Sequence, residues 1–266
     1  LAEGEAVRDP QRILLLCENE DGYRRLLRWM SRAYLENSRL GKAAIKQSWF
    51  EAEGTEGLIA LSGTPDVGEV AQALLVTDGD GPASAEARAE ARRRLDFYKS
   101  VFPERFFLEV QRYDQPREKE FVARTVALAV ETGTPLVATH PIAFAERSDF
   151  FLHEVRTCVA SKEHVEDPGR VSAFTREQYF RTRREMEELF QDLPEALDNA
   201  AAIAARCSTP IELGKNYLPM ITGPNGEDPA EFLRIRAREG LEKRLLNLYP
   251  DERERSRERA RFDARL

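Results

Sequence analysis

The alternation of short, continuous apolar runs with longer stretches of helical periodicity is the feature that most constrains the fold of this 266-residue chain. Apolar residues form a stripe with helical spacing between Asp21 and about Leu35, and further helices are predicted at residues 85–101 and 118–131. Four apolar runs are predicted to form strands, at residues 12–17, 58–62, 106–110 and 135–139. This order predicts βαβ units in a parallel sheet or barrel, and the unbroken apolar runs predict a sheet that is covered on both faces.

After residue 139 the chain is predicted to be mostly helical. Residues 148–160 have helical periodicity, and Thr175-Arg-Glu-Gln178 has the pattern of a capping box that opens a helix through Phe190. A further helix is predicted from Pro194 to about Cys207.

A Pro- and Gly-containing loop at residues 214–227 is predicted to be the domain boundary. A last short strand is predicted just before it, at residues 211–213. The final helix is predicted to begin at Asp228, which is followed by Pro at the first helical position. A turn-rich insertion is predicted at Gly79-Asp-Gly-Pro82.

The composition is that of a globular, water-soluble protein, with 42% hydrophobic and 33% charged residues. A membrane helix needs roughly 18 consecutive apolar residues, and no window of the sequence approaches this, so no membrane partner is expected. Three cysteines lie far apart and form no CxxC motif, at Cys17, Cys158 and Cys207. They fit a reducing compartment, so a cytoplasmic location is expected.

The charge balance argues against a protein that binds duplex nucleic acid through its whole surface. The chain has 47 acidic and 40 basic residues, a net charge of −7. Residues 231–266 are locally basic, with eleven Lys and Arg against eight Asp and Glu. The alternating signs favour a solvated helical face, and a nucleic-acid-binding role for residues 234–265 is the alternative.

Known catalytic motifs are absent from the sequence, which has no Gly-rich phosphate loop, GxSxG or HExxH. His140 directly follows a predicted strand, where functional residues of α/β folds gather, but a polar group that fixes the turn is the simpler interpretation. His153 lies in an apolar helical stretch and is interpreted as a partly buried structural histidine. His164 is expected to be exposed. The residues alone therefore indicate an α/β domain whose chemistry is absent or degenerate.

Several segments resemble one family, the alpha subunits of bacterial replicative DNA polymerase III (C-family polymerases), in their polymerase-and-histidinol-phosphatase (PHP) region. The resemblance is strongest at Phe106-Phe-Leu-Glu-Val-Gln-Arg112 and Thr134-Pro-Leu-Val-Ala-Thr139. It extends in order, and without large gaps, from about residue 13 to the end of the chain. The other matching segments are residues 17–23, 57–63, 148–150, 190–197, 203–207, 213–214, 217–219, 239–245 and 249–250.

The resemblance implies an α/β fold in two parts. Residues 1–214 would form a partial, distorted (βα)7 PHP barrel, and residues 215–266 the linker and first helices of the polymerase palm. The chain opens on Leu1 without the His-x-His segment that begins the family's PHP domain, so we expect that segment upstream. The carboxylates that bind Mg²⁺ for polymerisation are expected beyond Leu266. We therefore expect no catalytic residue and no cofactor in this chain.

The resemblance also bears on the PHP metal site. In metal-binding members, the strand that matches residues 135–139 is followed by Asn-Asp-x-His, whose Asp and His are ligands. Here Pro141 and Ala143 occupy the two ligand positions and His140 occupies the Asn position. Pro and Ala side chains have no ligating atoms, so we predict that no metal binds. Glu109, His140 and His153 are the candidates for a residual cleft.

The leading hypothesis is that the chain is part of a DNA-directed DNA polymerase of replication, a nucleotidyltransferase, whose PHP region is catalytically inactive. By resemblance, this region would brace the polymerase and dock the proofreading exonuclease subunit. Other replicase subunits would also be partners, and DNA would be a partner through the parent protein. The alternative is a metal-dependent PHP phosphoesterase or 3′–5′ exonuclease.

Overall fold

A computed structural model describes residues 11–39, 41–75, 84–216, 218 and 220–264. The predicted turn at residues 79–82 and the segment at Leu1 therefore lie outside the described residues. The chain separates into two compact units, one up to Pro210 and the other from Ile211 onward. The identity of the second unit as the start of a palm stays a prediction.

The first unit is a mixed α/β structure. Its strands and helices follow one another in the order β1 (Leu14–Cys17), α1 (Glu20–Glu36), β2 (Ser38–Arg39), β3 (Lys42–Ala43), α2 (Gln47–Glu53), β4 (Leu58–Leu61), α3 (Glu69–Leu74), α4 (Ala85–Val101), β5 (Phe106–Gln111), α5 (Glu118–Thr132), β6 (Leu136–Thr139), α6 (Phe150–Ser161), α7 (Arg183–Leu189) and α8 (Pro194–Arg206). A 3-10 turn at Arg147–Asp149 leads into α6. All four strands predicted from apolar runs are confirmed. The small β2–β3 hairpin and α2 were not predicted.

The main sheet has the order β1-β4-β5-β6 in the described part of the chain. The pairs β4–β5 and β5–β6 are parallel, as the alternation of strands and helices predicts. The β1–β4 pair is antiparallel, with Cys17 opposite Leu58, so the expectation of an all-parallel sheet is wrong at this edge. Buried strands carry the same apolar run in either direction, and so the sequence pattern does not reveal the direction. The number of strands in a complete barrel stays a prediction.

Both faces of the sheet are covered, which explains the unbroken apolar runs. On one face, Trp29 of α1, Phe50 of α2 and Phe102 pack edge to face, with ring centroids 5.2 and 5.5 Å apart. On the other face, Ile203 of α8 packs against side chains of β5 and β6, among them Phe107 and Val137. Every residue of β4 is buried as a result.

Helix α1 begins in very close contact with the segment before β4. The side chain of Asn19 caps the helix by accepting from the backbone N–H of Gly22 at 3.1 Å. A Cβ atom at Gly22 would overlap the carbonyl group of Gly57, and Gly57 itself has a φ of +78°. Glycine at both positions therefore allows the start of α1 to lie against the start of β4.

The predicted helix from Thr175 is wrong at its start. The Thr175 hydroxyl donates to the carbonyl oxygen of Tyr113, a residue far away in sequence, and Tyr179 forms an isolated bridge with Phe144. The helix, α7, begins only after Thr182, whose side chain forms a true capping box with Glu185. One half of the predicted contact does exist, because the Thr175 N–H donates to the side-chain oxygen of Gln178 at 2.9 Å.

The second unit contains two helices in the described residues, α9 (Pro229–Leu248) and α10 (Glu252–Asp263). The Asp228 cap is confirmed, because its carboxylate accepts from the N–H groups of Ala230 and Glu231 at 2.8 and 3.1 Å. The strand predicted at residues 211–213 is wrong, since these residues form no strand and are exposed. No helix in the described part of the chain is long and apolar enough to span a membrane.

Arginines of α10 are engaged in local pairs. Arg259 pairs with Glu242 of α9, and Arg261 pairs with Glu258 at 3.2 Å. Arg255 donates to the carbonyl oxygen of Tyr249 at 3.0 Å. These contacts favour the interpretation of alternating charges as a solvated helical face, and a nucleic-acid role for this segment stays a prediction.

Candidate functional site

A buried carboxylate lies near the carboxyl end of β5. The side chain of Glu109 accepts hydrogen bonds from the Thr139 hydroxyl and from Nε2 of Gln111, the latter at 3.0 Å. Gln111 also donates to Thr139 at 2.8 Å, and the Glu109 N–H donates to the Ser62 hydroxyl at 2.9 Å. Glu109 is only 4% exposed. We call Ser62, Glu109, Gln111 and Thr139 the strand-end cluster, because these four residues lie at or just beyond the carboxyl ends of β4, β5 and β6.

The strand-end cluster forms because parallel strands deliver their carboxyl ends to the same edge of the sheet. In the β5–β6 register, Gln111 lies opposite Thr139, which sets the two side chains beside each other. Donors from two strands thus converge on Oε1 of the buried Glu109 side chain, as a buried polar group requires. Sequence analysis identified Glu109 but missed Ser62, Gln111 and Thr139. Their signal was a polar residue at the end of a buried apolar strand.

Tyr113 follows β5 and lies in acidic surroundings. Burial raises the pKa of Tyr113 to about 12, with further contributions from the charges of Asp66, Glu118 and Glu109. The Tyr113 N–H donates to Glu118 at 2.5 Å. In the described residues, no three His, Cys, Asp or Glu side chains are grouped so that they could hold a metal ion.

His140 lies immediately beyond β6 and fixes the turn that follows the strand. Its Nε2 donates to the carbonyl oxygen of Tyr179 at 3.0 Å, which leaves Nδ1 as the acceptor nitrogen of the neutral ring. Nδ1 is buried and has no partner among the described residues. Burial lowers the pKa of His140, and the nearby Arg181 guanidinium lowers it further. Both effects favour the neutral form of the His140 ring.

Pro141 and Ala143 contact the same facing segment through their backbones. The Ala143 N–H donates to the carbonyl oxygen of Gln178 at 2.8 Å. The Pro141 carbonyl accepts from the Gln178 side chain at 3.4 Å. The residues present do not fit the PHP metal site that the family pattern implies, because neither side chain has an atom that could coordinate a metal.

His153 does not join the strand-end cluster. It lies on the inward face of α6, with its ring 4.4 Å from the ring of Phe174 and 5.4 Å from that of Phe144. Its Nε2 is buried without a partner among the described residues. The structure therefore brings Glu109 into contact with Thr139, the neighbour of His140, and places His153 in a separate apolar setting.

A cleft of about 770 Å³ opens beside the end of β5, and its walls carry charges of both signs. Arg112 on its wall pairs with both carboxylate oxygens of Asp192, at 2.6 and 2.7 Å, and lies over the ring of Phe190. Arg181 on the opposite wall pairs with Glu177 at 2.5 Å. Both guanidinium groups, which sequence analysis missed, form ion pairs with carboxylates of the same chain.

Comparison with known proteins agrees with the resemblance seen in the sequence. Residues 2–113 match the PHP domain family. The chain is 43% identical over 239 residues to DNA polymerase III subunit alpha of Pseudomonas aeruginosa, which is 90% of this chain and 19% of the relative. It is 40% identical over 259 residues to the same subunit of Neisseria meningitidis serogroup A, covering 97% of this chain and 22% of the relative. It is 38% identical over 255 residues to the subunit of Escherichia coli K12, which is 96% of this chain and 21% of the relative. The chain thus spans about a fifth of the length of these relatives.

Proposed function

This chain carries a PHP domain homologous to the amino-terminal regions of bacterial DNA polymerase III alpha subunits, and on that premise we propose that it serves as a catalytically inactive scaffold within such a subunit. In this role it braces the polymerase and docks the proofreading exonuclease subunit. The parent protein would copy DNA with the other replicase subunits, and Mg²⁺ would be held by carboxylates outside this chain.

The lack of converging metal ligands around Glu109 among the described residues is the observation that carries this proposal. A catalytic metal needs several ligands that converge on it and an open position for water or substrate. Here Gln111 and Thr139 both donate to one oxygen of the Glu109 carboxylate, Oε1. No group of three His, Cys, Asp or Glu side chains in the described part of the chain could hold a metal ion around it. By the resemblance in sequence, Pro141 and Ala143 correspond to the positions of metal ligands in metal-binding members, and neither side chain could coordinate a metal. The scaffold role requires only a packed core and a complementary surface.

A nuclease assay on the complete alpha subunit tests the proposal. The subunit is incubated without the exonuclease subunit on 3′-labelled single-stranded DNA, with Mn²⁺ or Zn²⁺ added. We expect no release of 3′ nucleotides, and stable binding when the exonuclease subunit is supplied. Metal-dependent release that Glu109→Gln abolishes would contradict the proposal and favour the enzymatic alternative.

A further inference from the structure

A hydrogen-bonded turn precedes helix α9 in the second unit. The Gly226 N–H donates to the carbonyl oxygen of Gly223 at 2.9 Å, and the Gly223 N–H donates to the carbonyl oxygen of Glu227 at 3.1 Å. The turn contains Asn225, which is exposed and is the one asparagine of the chain that is followed by glycine. We call residues 223–227 the Asn225 turn.

An asparagine followed by glycine is chemically labile. The backbone nitrogen of the glycine can attack Cγ of the asparagine side chain. A C–N bond forms, a five-membered succinimide ring closes, and the side-chain nitrogen leaves as ammonia with the proton of the attacking N–H. Water then opens the ring at either carbonyl, which yields aspartate or isoaspartate. A side chain on the attacking residue hinders this ring closure, and Gly226 has none.

The Glu227 side chain holds Asn225 at two points. Its carboxylate accepts from the backbone N–H of Asn225 at 3.0 Å and from the side-chain amide of Asn225 at 2.9 Å, through different oxygens. Hydrogen bonds from Asn225 hold the pKa of Glu227 below its usual value, so the carboxylate is ionised at neutral pH. A side chain at Gly223 would overlap this carboxylate, so glycine there leaves room for it.

These contacts hold apart the two groups that must react. The N–H of Gly226 is donated to Gly223, and the side-chain amide of Asn225 is held on the Glu227 carboxylate. Cγ of Asn225 can therefore meet the Gly226 nitrogen only after the turn opens. Such opening is local, because the turn lies at the surface and its hydrogen bonds are few.

We propose that Asn225 is a site of spontaneous deamidation, and that Glu227 sets the rate of the reaction by holding the Asn225 turn closed. The product places a new carboxylate against that of Glu227, where the unmodified turn has a donor, and like charges at this distance repel. Isoaspartate also adds one carbon atom to the backbone. The modification thus loosens the segment that leads into α9, which begins at Pro229.

Two other asparagines of the chain serve as internal controls. The side-chain amide of Asn37 donates to the carbonyl oxygen of Ala44 at 2.7 Å, and that of Asn199 donates to the carbonyl oxygen of Leu136 at 2.8 Å. Each is followed by a residue that has a side chain. We therefore expect neither to deamidate at the rate of Asn225.

The test follows deamidation in the complete alpha subunit during several weeks at neutral pH. Digestion at acidic pH stops further ring closure, and mass spectrometry of the peptides measures the increase of about 1 Da that accompanies the change from amide to acid. We expect this increase at Asn225, as two products that separate in chromatography. The peptides that contain Asn37 and Asn199 should stay unchanged.

The variant Glu227→Ala tests the role of the carboxylate. It removes both hydrogen bonds to Asn225, so we expect the rate of deamidation to rise by roughly two- to tenfold. Glu239→Ala is the matched control, because Glu239 is an exposed glutamate of α9 that pairs with Arg236 at 2.8 Å and makes no contact with the turn in the described hydrogen bonds. Its rate should equal that of wild type.

Four outcomes would overturn the proposal. The first is no mass increase at Asn225 in either wild type or Glu227→Ala. The second is an equal rate in both proteins, which would show that the carboxylate does not hold the turn closed. The third is a slower rate in Glu227→Ala, which would show that the carboxylate assists ring closure as a base. The fourth is an equal acceleration in Glu239→Ala, which would assign the effect to the loss of negative charge alone.

Discussion

At Glu109, a single carboxylate is held inside the sheet by donors from its own strand and from the neighbouring one. The Thr139 hydroxyl and the Gln111 amide both reach it. A side chain as buried as that of Glu109 depends on such donors, because a buried polar group without a hydrogen-bond partner is costly. Both donors reach the same carboxylate oxygen, Oε1, which makes that atom less available to a metal ion.

Replacing Thr139 with Val tests this role of the hydroxyl. The change keeps the shape of the side chain but removes a donor to the buried carboxylate, so the free energy of unfolding should fall by about 1–3 kcal/mol. Urea denaturation measures the loss. Thr139→Ser retains the hydroxyl and should lose less. Equal stability of Thr139→Val and wild type would show that the carboxylate does not depend on this donor.

Replacing Gly22 with Ala tests the close contact between α1 and the start of β4. The new methyl group would overlap the Gly57 carbonyl, so the helix must shift, and we expect a loss of roughly 1–3 kcal/mol in the free energy of unfolding. Gly240→Ala in α9 is the matched control. No atom lies within 4 Å of a Cβ there, so it should stabilise the helix by about 1 kcal/mol or less. Circular dichroism in urea measures both variants, and an unaffected Gly22→Ala protein would contradict the contact.

An ion triad joins α3 and α5, and in it the side chains of Glu120 and Arg124 are buried while Arg117 is exposed. Glu120 of α5 pairs with Arg117 at 2.7 Å and with Arg124 at 2.6 Å. The same guanidinium groups donate to the carbonyl oxygens of Leu75 and Leu74, at 3.1 and 2.7 Å, where α3 ends. Positive charge at a helix C-terminus is favourable, so the triad fixes the end of α3 against the start of α5.

The triad predicts a pH-dependent effect of Glu120→Gln. Arg117, with Arg124, holds the pKa of Glu120 below its usual value in the folded state. A carboxyl group whose pKa is lower in the folded state stabilises the fold at pH values above its pKa in the unfolded chain. That stabilisation is lost as the pH falls through the pKa of the group in the folded state. Removing the charge at pH 7 should lower the free energy of unfolding by roughly 3 kcal/mol, the range for a broken buried pair.

Urea titrations at pH 7 and at about pH 3 measure this effect. The difference between wild type and Glu120→Gln should shrink at the lower pH, because pH 3 lies below the ordinary pKa of a glutamate side chain and unfolding is then coupled to proton uptake by Glu120. A difference that stays constant with pH would show that the charge of Glu120 is not responsible. Arg92, which pairs with Asp96 and Glu131 on the surface, provides the control, since Arg92→Gln should change stability by less than about 1 kcal/mol.

Elements with a strong local signal could be predicted from the sequence, and elements decided by distant contacts could not. The apolar runs predict all four strands of the main sheet, and the Asp228-Pro229 pair predicts the start of α9. The capping pattern occurs twice, at Thr175 and at Thr182, and only the contact of Thr175 with Tyr113 decides between them. The β2–β3 hairpin has two-residue strands and too few apolar residues to give a signal.

For the candidate site, single residues could be predicted from the sequence, but their contacts with one another could not. The position of His140 directly after a predicted strand identifies it from the sequence, and Glu109 is named beside it as a cleft candidate. The contacts of Glu109 depend on the register that sets Gln111 opposite Thr139, which a single strand does not reveal. His153 was grouped with them because sequence alone does not show on which side of the sheet edge a later helix lies.

On the scale of the whole molecule, the first unit holds nearly all of the apolar core. Its three clusters of buried side chains cover both faces of the sheet. In the second unit, Leu245 is the one fully buried large apolar side chain among the described residues. Together with an acidic net charge of −7, this agrees with a domain that supports and docks, while DNA contacts would be made elsewhere in the proposed parent protein.

Metal analysis of the complete alpha subunit tests the central claim most directly. The wild-type subunit is equilibrated with Zn²⁺ or Mn²⁺, desalted, and measured by inductively coupled plasma mass spectrometry beside Glu109→Ala and His140→Ala variants. Pro141→Asp/Ala143→His supplies the two missing ligand types for comparison. A metal-free scaffold predicts the same metal content in wild type and in both Ala variants. A stoichiometric zinc or manganese ion in wild type that either Ala variant loses would contradict it.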